Sequence, residues 1–368
     1  MQYRDFGNTG LKVSALGFGA MRLPMKGKHV DEDKAIETIH RAFELGINYL
    51  DTAYFYNEHE SEVVVGKALK GWRDKVTLST KNPDSSVDGD SWRRVLDEQI
   101  KKLDVDRIDI YNFHGIGWEV FEQHIMKPGG PMEAARKAQD EGLFTHLSFS
   151  FHDEPESLIK LADTGEFTSV TCQYNLLDRA NEPSIAHAHE KGMGVVIMGP
   201  VGGGRLGAPS PEIQALLPGV SKSSAEVALR FVLSNPNVSC AISGMSDVRM
   251  VEENCATASR EEPLTSEERA AVIAQLEEKK KLAELYCTGC GYCMPCPHEV
   301  DIPGNFSAMN EYRLYGLREH AAARYEKLFQ EQKAAEHCQE CGECEPKCPQ
   351  KIPIIEQLKE THKALGRK

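Results

Sequence analysis

Short apolar runs alternate with longer amphipathic stretches over the first 260 residues of the chain. A short apolar run bounded by turn residues predicts a buried strand, and apolar positions three or four residues apart predict a helix. Residues 1–6 and 11–13 predict a small hairpin ahead of this pattern. The predicted strands lie at residues 15–19, 47–51, 76–81, 108–114, 145–149, 169–173, 194–198 and 238–242. The predicted helices lie near residues 31–46, 61–69, 91–103, 131–141, 155–162, 182–191, 223–234 and 247–257. Such alternation predicts an α/β fold with a parallel sheet and right-handed crossovers.

The pattern changes after residue 260. Thr265 and Glu268 form a Thr-x-x-Glu capping box, which predicts a helix that runs to about Leu285. Beyond that helix, cysteine, glycine and proline become frequent. The sequence therefore predicts an α/β domain at 1–262 and a small, mostly helical domain at 263–368.

Three of the predicted strands end in ionisable side chains. Asp51 ends the second strand, Tyr56 follows it by five residues, Lys81 ends the third strand and His114 ends the fourth. Parallel strands that close into a barrel bring their carboxyl ends to one rim, where barrel enzymes keep their chemistry. We therefore expect these four groups to meet at one mouth. The alternative is that each is a polar rim residue with no chemical task.

The four groups are chemically consistent with protonation of a carbonyl oxygen. A phenol has an ordinary pKa of about 10, and a nearby ammonium lowers that pKa because it favours the phenolate. Lys81 can supply the ammonium, and Asp51 can hold it charged and in place. His114 can direct a substrate oxygen toward the phenol of Tyr56. This set predicts carbonyl reduction, with hydride arriving at the carbon as the oxygen takes a proton.

Charge and composition narrow the class of protein. The 368 residues carry a formal net charge of -13, which argues against nucleic acid or an anionic membrane as the main partner. The N-terminal residues show no apolar signal region, and no apolar run approaches the roughly 20 residues of a spanning helix. We therefore expect a cytoplasmic protein. Eight of the eleven cysteines lie between residues 287 and 348 at tight spacing, which indicates metal binding rather than disulfides.

The cysteines form two runs, and each run ends in Cys-Pro. The runs are Cys287-x-x-Cys290-x-x-Cys293-x-x-Cys296-Pro297 and Cys338-x-x-Cys341-x-x-Cys344-x-x-x-Cys348-Pro349. Such runs are typical of two [4Fe-4S] clusters, in which the fourth cysteine of each run binds the other cluster. We therefore predict one cluster on Cys287, Cys290, Cys293 and Cys348, and a second on Cys338, Cys341, Cys344 and Cys296. Zinc is the alternative, but zinc sites usually show two cysteine pairs separated by a dozen or more residues.

Several groups of residues in the first domain resemble the aldo-keto reductases. They are Asp51-Thr52-Ala53 with Tyr56, Ser61-Glu62, Gly66-Lys67-Ala68-Leu69, Ser79-Thr80-Lys81, and the strand that ends at His114. The resemblance covers roughly residues 1–260. It implies a (β/α)8 TIM barrel with Asp51, Tyr56, Lys81 and His114 as the catalytic tetrad. The second domain resembles the two-cluster bacterial ferredoxins, in their helical form.

Pyrophosphate sites in such barrels often use the loops after strands seven and eight. Both loops are rich in small residues, whose backbone amides can approach a phosphate. The first loop offers Gly199, Pro200, Gly202, Gly204 and Arg205, and the second offers Ser243, Gly244 and Met245. The resemblance implies further cofactor contacts at Gly19, Asp51, Ser150, Gln173, Met198, Arg249, Glu253 and Asn254. Two of these are departures from the family, because the family's glutamine on strand six falls at Thr171, with Gln173 close by, and the aromatic that stacks on the nicotinamide falls near Met198.

Some positions depart from the family pattern. The family's Ser-Asn pair after strand five is Ser150-Phe151 here, so the asparagine that binds the nicotinamide carboxamide is missing. The cation expected before the last barrel helix falls on Gly244, and Arg249 is the nearest substitute. These departures leave the choice between NADP and NAD open.

Three functions fit the combination of a barrel and two clusters. The first is a nicotinamide-dependent reductase of a small carbonyl compound, or a dehydrogenase of the corresponding alcohol. The second is a reductase whose clusters deliver electrons to a substrate in the barrel, with a ferredoxin or flavodoxin as electron partner. The third is a redox-sensing barrel protein without turnover, and the intact tetrad argues against it.

Overall fold

The computed structural model describes residues 1–218, 221–261, 264–284, 287, 289–349 and 351–367. The chain forms two compact units. The first comprises Met1–Gly202 with Ala228–Pro263, and the second comprises Gly203–Val227 with Leu264–Lys368. The segment 203–227, which follows the seventh predicted strand, thus belongs with the C-terminal part of the chain.

Eight parallel strands form a closed barrel in the first unit, and each pairs with its neighbours in chain order. They are β1 Leu16–Gly19, β2 Tyr49–Asp51, β3 Thr77–Asn82, β4 Ile108–Ile116, β5 Phe144–Phe151, β6 Ser169–Gln173, β7 Gly194–Met198 and β8 Cys240–Ser243. The last strand pairs with the first and closes the ring. This topology confirms the predicted (β/α)8 barrel, and it brings the carboxyl ends of all eight strands to one rim.

A helix follows each barrel strand. The helices are α1 Glu32–Glu44, α2 Ser61–Ala68, α3 Gly89–Leu103, α4 Pro131–Asp140, α5 Pro155–Asp163, α6 Glu182–Glu190, α7 Ser224–Leu233 and α8 Val248–Ala258. The side chain of Asp88 caps α3 by accepting a hydrogen bond from the backbone N–H of Ser91 at 2.8 Å. This cap starts α3 two residues before the predicted position, whereas Asp31 stands at the start of α1 without a side-chain capping bond.

The N-terminal hairpin pairs Tyr3–Asp5 with Lys12–Ser14. Phe6 and Val13 are fully buried, and they pack in one apolar cluster with Tyr49 of the barrel interior. Burial of large apolar side chains is the main stabilising term in such a core. The hairpin therefore closes the barrel at the end opposite the rim that carries the carboxyl ends of the strands.

Several short elements lie between the main ones. A two-residue hairpin pairs Met25–Lys26 with His29–Val30. Single turns of helix occur at Ala20–Arg22, Arg73–Lys75, Trp118–Val120, Phe121–Ile125, Pro211–Gln214 and Ala335–His337. The segment Gly202–Gly207 is also helical in part, but Gly203 and Gly204 interrupt it with non-helical backbone angles.

The second unit contains four further helices. They are α9 Ser266–Glu284, α10 Ile302–Tyr315, α11 Arg318–Gln330 and α12 Ile354–Leu365. The predicted capping box is present, because the backbone N–H of Thr265 donates to Glu268 at 2.8 Å and that of Glu268 donates to Thr265 at 3.1 Å. The predicted boundary at 262–263 and the predicted helix end at Leu285 lie outside the described residues. In the described ranges, no helix is both long and apolar enough to span a membrane.

Candidate active site and cysteine centres

Asp51 and Lys81 form a buried ion pair at the rim of the barrel. Nζ of Lys81 lies 2.5 Å from Oδ1 of Asp51, and both side chains are at most 2% exposed. Strand register explains the meeting, since Asp51 is the last residue of β2 and pairs with Ser79, two residues before Lys81 on β3. Nζ also donates to the carbonyl oxygen of Thr52 at 2.8 Å. The ammonium is therefore fixed in one position by two acceptors, one on the last residue of β2 and one on the residue that follows it.

Tyr56 and His114 complete the group that the sequence predicts. The centroid of the Tyr56 ring lies 5.0 Å from Nζ of Lys81. The rings of Tyr56 and His114 meet edge to face, with centroids 6.2 Å apart. Both residues are only partly buried, whereas Asp51 and Lys81 are fully buried. The four groups thus lie together, with the phenol and imidazole on the accessible side of the ion pair.

The loop that carries Tyr56 is a strained turn. The next three residues, Asn57, Glu58 and His59, have φ values of 52°, 52° and 72°. Left-handed backbone costs an L-residue roughly 1–2 kcal/mol, so three in succession must be held by their surroundings. The backbone N–H of Tyr56 donates to the carbonyl oxygen of Ala53 at 3.2 Å. This turn therefore determines the direction of the backbone after Tyr56.

Burial and charge set the protonation states. Burial lowers the pKa of His114 to about 3, and the positive charge of Lys81 and the neighbouring His152 add to the effect, so the imidazole is neutral. Burial raises the pKa of Tyr56 above its ordinary value, and the ammonium of Lys81 opposes this rise. Burial alone would lower the pKa of Lys81, but Asp51 and Tyr56 outweigh burial and raise it. The lysine therefore stays charged.

Two residues to which the sequence analysis gave no role, Ser79 and Asn112, hold Asp51 in place through hydrogen bonds. Ser79 donates to Oδ2 of Asp51 at 3.1 Å, and the amide of Asn112 donates to Ser79 Oγ at 3.1 Å. These groups hold the second carboxylate oxygen. The only sequence signal was the presence of polar residues inside predicted buried strands.

A second buried network lies beside Lys81. The carboxylate of Glu62 is fully buried and accepts hydrogen bonds from Thr80 at 2.7 Å and from Gln99 at 2.6 Å. Gln99 also donates to the carbonyl oxygen of Lys81 at 3.1 Å. Burial raises the pKa of Glu62. This network ties helices α2 and α3 to the strand that carries Lys81.

His152 is a further group at the mouth that the sequence analysis missed. It follows β5 directly, and a Cβ built at Gly115 would lie 3.7 Å from its ring. Its side chain is therefore next to the residue that follows His114. Burial lowers the pKa of His152, and the charge of Lys81 adds to this shift.

Most predicted cofactor contacts on the barrel lie at the ends of its strands. Gly19 pairs with Asp51, and Gln173 pairs with Met198. A Cβ built at Gly199 would lie 2.5 Å from Oε1 of Gln173, so that glutamine lies against the start of the loop after β7. These positions lie on the same rim of the barrel as Asp51, Tyr56, Lys81 and His114.

Other predicted cofactor residues already have protein partners. Ser150 Oγ accepts a hydrogen bond from the backbone N–H of Gly115 at 2.8 Å. The amide of Asn254 donates to Ser243 Oγ at 3.4 Å. Pro200 and Met245 are buried in the loops after β7 and β8.

Charged candidates lie near the last barrel helix. Arg249 and Glu253 are exposed on α8, with their charged groups 3.9 Å apart. A Cβ built at Gly244 would lie 3.1 Å from the side chain of Arg22. Arg22 therefore occupies the space of a side chain at position 244, where the family pattern predicts a cation. No sequence signal connects these two distant positions.

Two of the predicted phosphate contacts, Gly204 and Arg205, belong to the second unit. The three glycines that precede Arg205 have φ values of 59°, 67° and 99°, which residues with a side chain rarely adopt. Arg205 lies 3.5 Å from Glu311 on α10.

Eight cysteines line two cavities in the second unit. Cys287, Cys290, Cys293 and Cys348 line the first cavity, and Cys296, Cys338, Cys341 and Cys344 line the second. Each cavity therefore takes three cysteines from one run and one from the other. Burial raises the pKa of the Cys344 thiol to about 11, so ionisation of that thiol calls for a positive partner such as iron. The donor set and its division suit iron-sulfur clusters.

The remaining cysteines lie in the barrel. Cys172 and Cys240 are fully buried within strands, and Cys255 is buried on α8. They are core residues rather than members of either centre.

Two family models match the chain. The model of the aldo/keto reductase family matches residues 15–277. The model of the 4Fe-4S dicluster domain matches residues 286–352.

Individual proteins show the same likeness over the barrel. L-galactose dehydrogenase of Arabidopsis thaliana is 30% identical over 310 residues, which cover 77% of this chain and 96% of that protein. The uncharacterized oxidoreductase YqkF of Bacillus subtilis is 29% identical over 312 residues, with 76% and 97% covered. The holo form of an aldo-keto reductase from Bacillus halodurans superposes with a TM-score of 0.65 at 31% identity, covering 74% of this chain and 96% of that one. The chain is therefore an oxidoreductase of the aldo/keto reductase family that carries a 4Fe-4S dicluster domain at its C-terminal end.

Proposed function

We propose that the protein reduces the carbonyl group of a small molecule with NADPH or NADH, or oxidises the corresponding alcohol. The observation that carries this proposal is the buried Lys81–Asp51 pair beside Tyr56, with His114 at the edge of the phenol. These groups are the equipment that proton delivery to a carbonyl oxygen needs.

Each side chain has one role in the proposed reaction. The neutral imidazole of His114 donates a hydrogen bond to the carbonyl oxygen and polarises it. Tyr56 then transfers its phenolic proton to that oxygen. The ammonium of Lys81 stabilises the resulting tyrosinate, and Asp51 holds the ammonium in place. In the reverse direction, the tyrosinate accepts the proton of the alcohol.

When bound, a reduced nicotinamide would supply the hydride for the carbonyl carbon. Gly19, Ser150, Gln173 and Met198 would surround its ring, at the strand ends next to the tetrad. The loops after β7 and β8 would hold its phosphates, with Gly199, Gly202, Gly204, Arg205 and Ser243–Met245 as contacts. Glu253 and Asn254 would contact the adenosine. Arg22 and Arg249 are the cations that could select the 2'-phosphate of NADP.

We also propose that the C-terminal domain holds two [4Fe-4S] clusters with exchanged fourth ligands. The mixed cysteine lining of both cavities supports this assignment. A reducing compartment such as the cytoplasm suits eight cysteines that serve as cluster ligands rather than as disulfides.

A second candidate function is reduction by electrons from the clusters, without a conventionally bound nicotinamide. Phe151, only 1% exposed, stands where the family places its carboxamide-binding asparagine, and it cannot make that hydrogen bond. A ferredoxin or flavodoxin would then be the electron partner.

One experiment separates the two candidates. Anaerobically purified protein is titrated with NADPH and NADH, and carbonyl compounds, including aldoses because one relative is named for L-galactose, are screened with each. Binding and turnover with a nicotinamide support the first function. Absence of binding to either nicotinamide, with turnover on reduced viologen, would replace it with the second.

A further inference from the structure

Strand register places His152 on the inner side of the barrel rim. Asn112 on β4 pairs with Ser148 on β5, and the Asn112 side chain points into the barrel, where it donates to Ser79. Side chains of paired residues point to the same face of a sheet, and successive residues alternate between its two faces. Ser148, Ser150 and His152 therefore share the face that carries the tetrad, and His152 directly follows the carboxyl end of β5.

Two hydrogen bonds hold the chain on either side of His152 against the loop after β4. The backbone N–H of Gly115 donates to Ser150 Oγ at 2.8 Å, and that of Trp118 donates to Asp153 Oδ2 at 3.3 Å. Between these bonds, a Cβ built at Gly115 would lie 3.7 Å from Cδ2 of His152. The ring of His152 is therefore held in contact with this loop.

His114 and His152 place two imidazoles at the mouth, because Gly115 directly follows His114. In the part of the chain that the structure describes, no hydrogen bond or ion pair joins either imidazole to another residue. The His152 side chain is accessible at the mouth, although the protein covers enough of it to lower its pKa, and the charge of Lys81 adds to that shift. The imidazole of His152 is therefore neutral, and its ring nitrogens are available to a ligand.

The chemistry of a neutral imidazole selects the kind of group that it binds. One ring nitrogen donates a hydrogen bond and the other accepts one. A hydroxyl group also donates and accepts, whereas a carboxylate only accepts and is better matched by a cation. The cation of the tetrad, Lys81, is already paired with Asp51. A hydroxyl is therefore the group that suits His152.

We propose that His152 binds a hydroxyl group on the carbon next to the carbonyl group of the substrate. His114 then contacts the carbonyl oxygen and His152 the neighbouring oxygen, so the preferred substrates are α-hydroxy aldehydes and α-hydroxy ketones. His152 takes no part in proton or hydride transfer and determines specificity alone. This inference rests on the proposed function, because it takes His114 as the residue that contacts the carbonyl oxygen.

Pairs of substrates in which a methyl group replaces the hydroxyl test the proposal on anaerobically purified holoprotein. The pairs are hydroxyacetone with butanone, and glycolaldehyde with propanal. Reduction is followed with whichever of NADPH, NADH or reduced viologen supports turnover. Wild type should prefer the hydroxylated member about tenfold in kcat/KM, because the methyl compound leaves the imidazole without its hydrogen bond.

His152→Leu should remove this preference by raising KM for the hydroxylated member of each pair. The reason is that a hydrogen bond made equally in the bound substrate and in the transition state acts on KM. His152→Gln keeps a donor and an acceptor and should restore part of the preference. A merely structural role would lower kcat/KM for both members alike and leave their ratio unchanged.

His189→Leu is the matched control. His189 is an exposed histidine on helix α6 rather than at the end of a strand. Its replacement should leave the ratio and the KM values as they are in wild type.

An equal ratio in wild type and His152→Leu, or a wild type that does not distinguish the members of either pair, would refute the role of His152 and leave the proposed function standing. Failure of wild type to reduce any of the four compounds with any of the three donors would overturn the proposed function as well.

Discussion

The ammonium nitrogen of Lys81 lies 5.0 Å from the centroid of the Tyr56 ring. At such a distance, and with little water around the lysine, the positive charge favours the tyrosinate that remains after proton transfer. Burial raises the pKa of the same phenol, so two opposing influences act on Tyr56. The phenol therefore holds its proton until a substrate oxygen is ready to take it.

Replacing Tyr56 with Phe should remove the proton donor and leave the cavity almost unchanged. We expect kcat for carbonyl reduction to fall by about 10²- to 10⁴-fold, the usual contribution of a general acid. Dinucleotide affinity should change little, because the ring remains. Steady-state kinetics and a binding titration measure the two effects separately.

Tyr54→Phe is the matched control for this variant. Tyr54 lies in the same loop, and its hydroxyl donates to Glu98 at 3.0 Å. Turnover should be nearly unaffected. Equal losses in both variants would mean that the loop, rather than the Tyr56 hydroxyl, determines activity.

The pH dependence of turnover follows from the shifted pKa values of His114 and Tyr56. His114, with its pKa at about 3, is neutral above that pH and so contributes no acid limb near its ordinary value. Tyr56, with a raised pKa, keeps its proton through neutral pH. Reduction should therefore be flat between about pH 5 and pH 9 and decline only as the phenol ionises. Alcohol oxidation needs the tyrosinate and should rise with pH over the same range. A reduction rate that falls as pH rises through the ordinary histidine pKa would instead make protonated His114 the acid.

The buried ion pair should be costly to break. Asp51→Asn leaves the Lys81 ammonium buried without its counter-charge, which typically costs about 3–5 kcal/mol of unfolding free energy. The exposed pair between Lys67 and Glu32 is the control, and Lys67→Met should cost at most about 1 kcal/mol. Urea denaturation followed by barrel tryptophan fluorescence compares the two. Similar costs would mean that Asp51 contributes no buried charge pairing.

Much of the barrel site could be predicted because it depends on local pattern. Asp51, Lys81 and His114 stand at or near the ends of strands whose apolar runs are unambiguous, and parallel closure then brings them together. The hydrogen bonds of Ser79 and Asn112 to this group were not predictable, since a polar residue inside a buried strand does not reveal its partner.

The placement of segment 203–227 could not be predicted either. Its glycines indicated a loop after a strand, but not that the next residues would pack on α10, about 100 positions later in the chain. The contact between Arg22 and Gly244 could not be predicted for the same reason. Contacts between distant loops depend on tertiary packing rather than on local periodicity.

The exchange of fourth ligands gives the most direct test of the dicluster assignment. Cys348 lines a cavity with Cys290, although Cys341 of its own run lines the other cavity. A variant with Cys290→Ser and Cys348→Ser removes two ligands of one proposed cluster, and we expect iron to fall from about eight to about four atoms per chain. A variant with Cys341→Ser and Cys348→Ser removes one ligand from each cluster and should lower the occupancy of both.

Cys255→Ser is the control for these measurements, because Cys255 is buried in the barrel and lines neither cysteine cavity. Iron and sulfide analysis, with electron paramagnetic resonance of the reduced protein, reports cluster number and type. If each run instead held its own cluster, the two double variants would exchange outcomes, since Cys341 and Cys348 would then serve the same cluster. The pairing of variants therefore distinguishes the two ligand assignments even if a single serine is tolerated as a ligand.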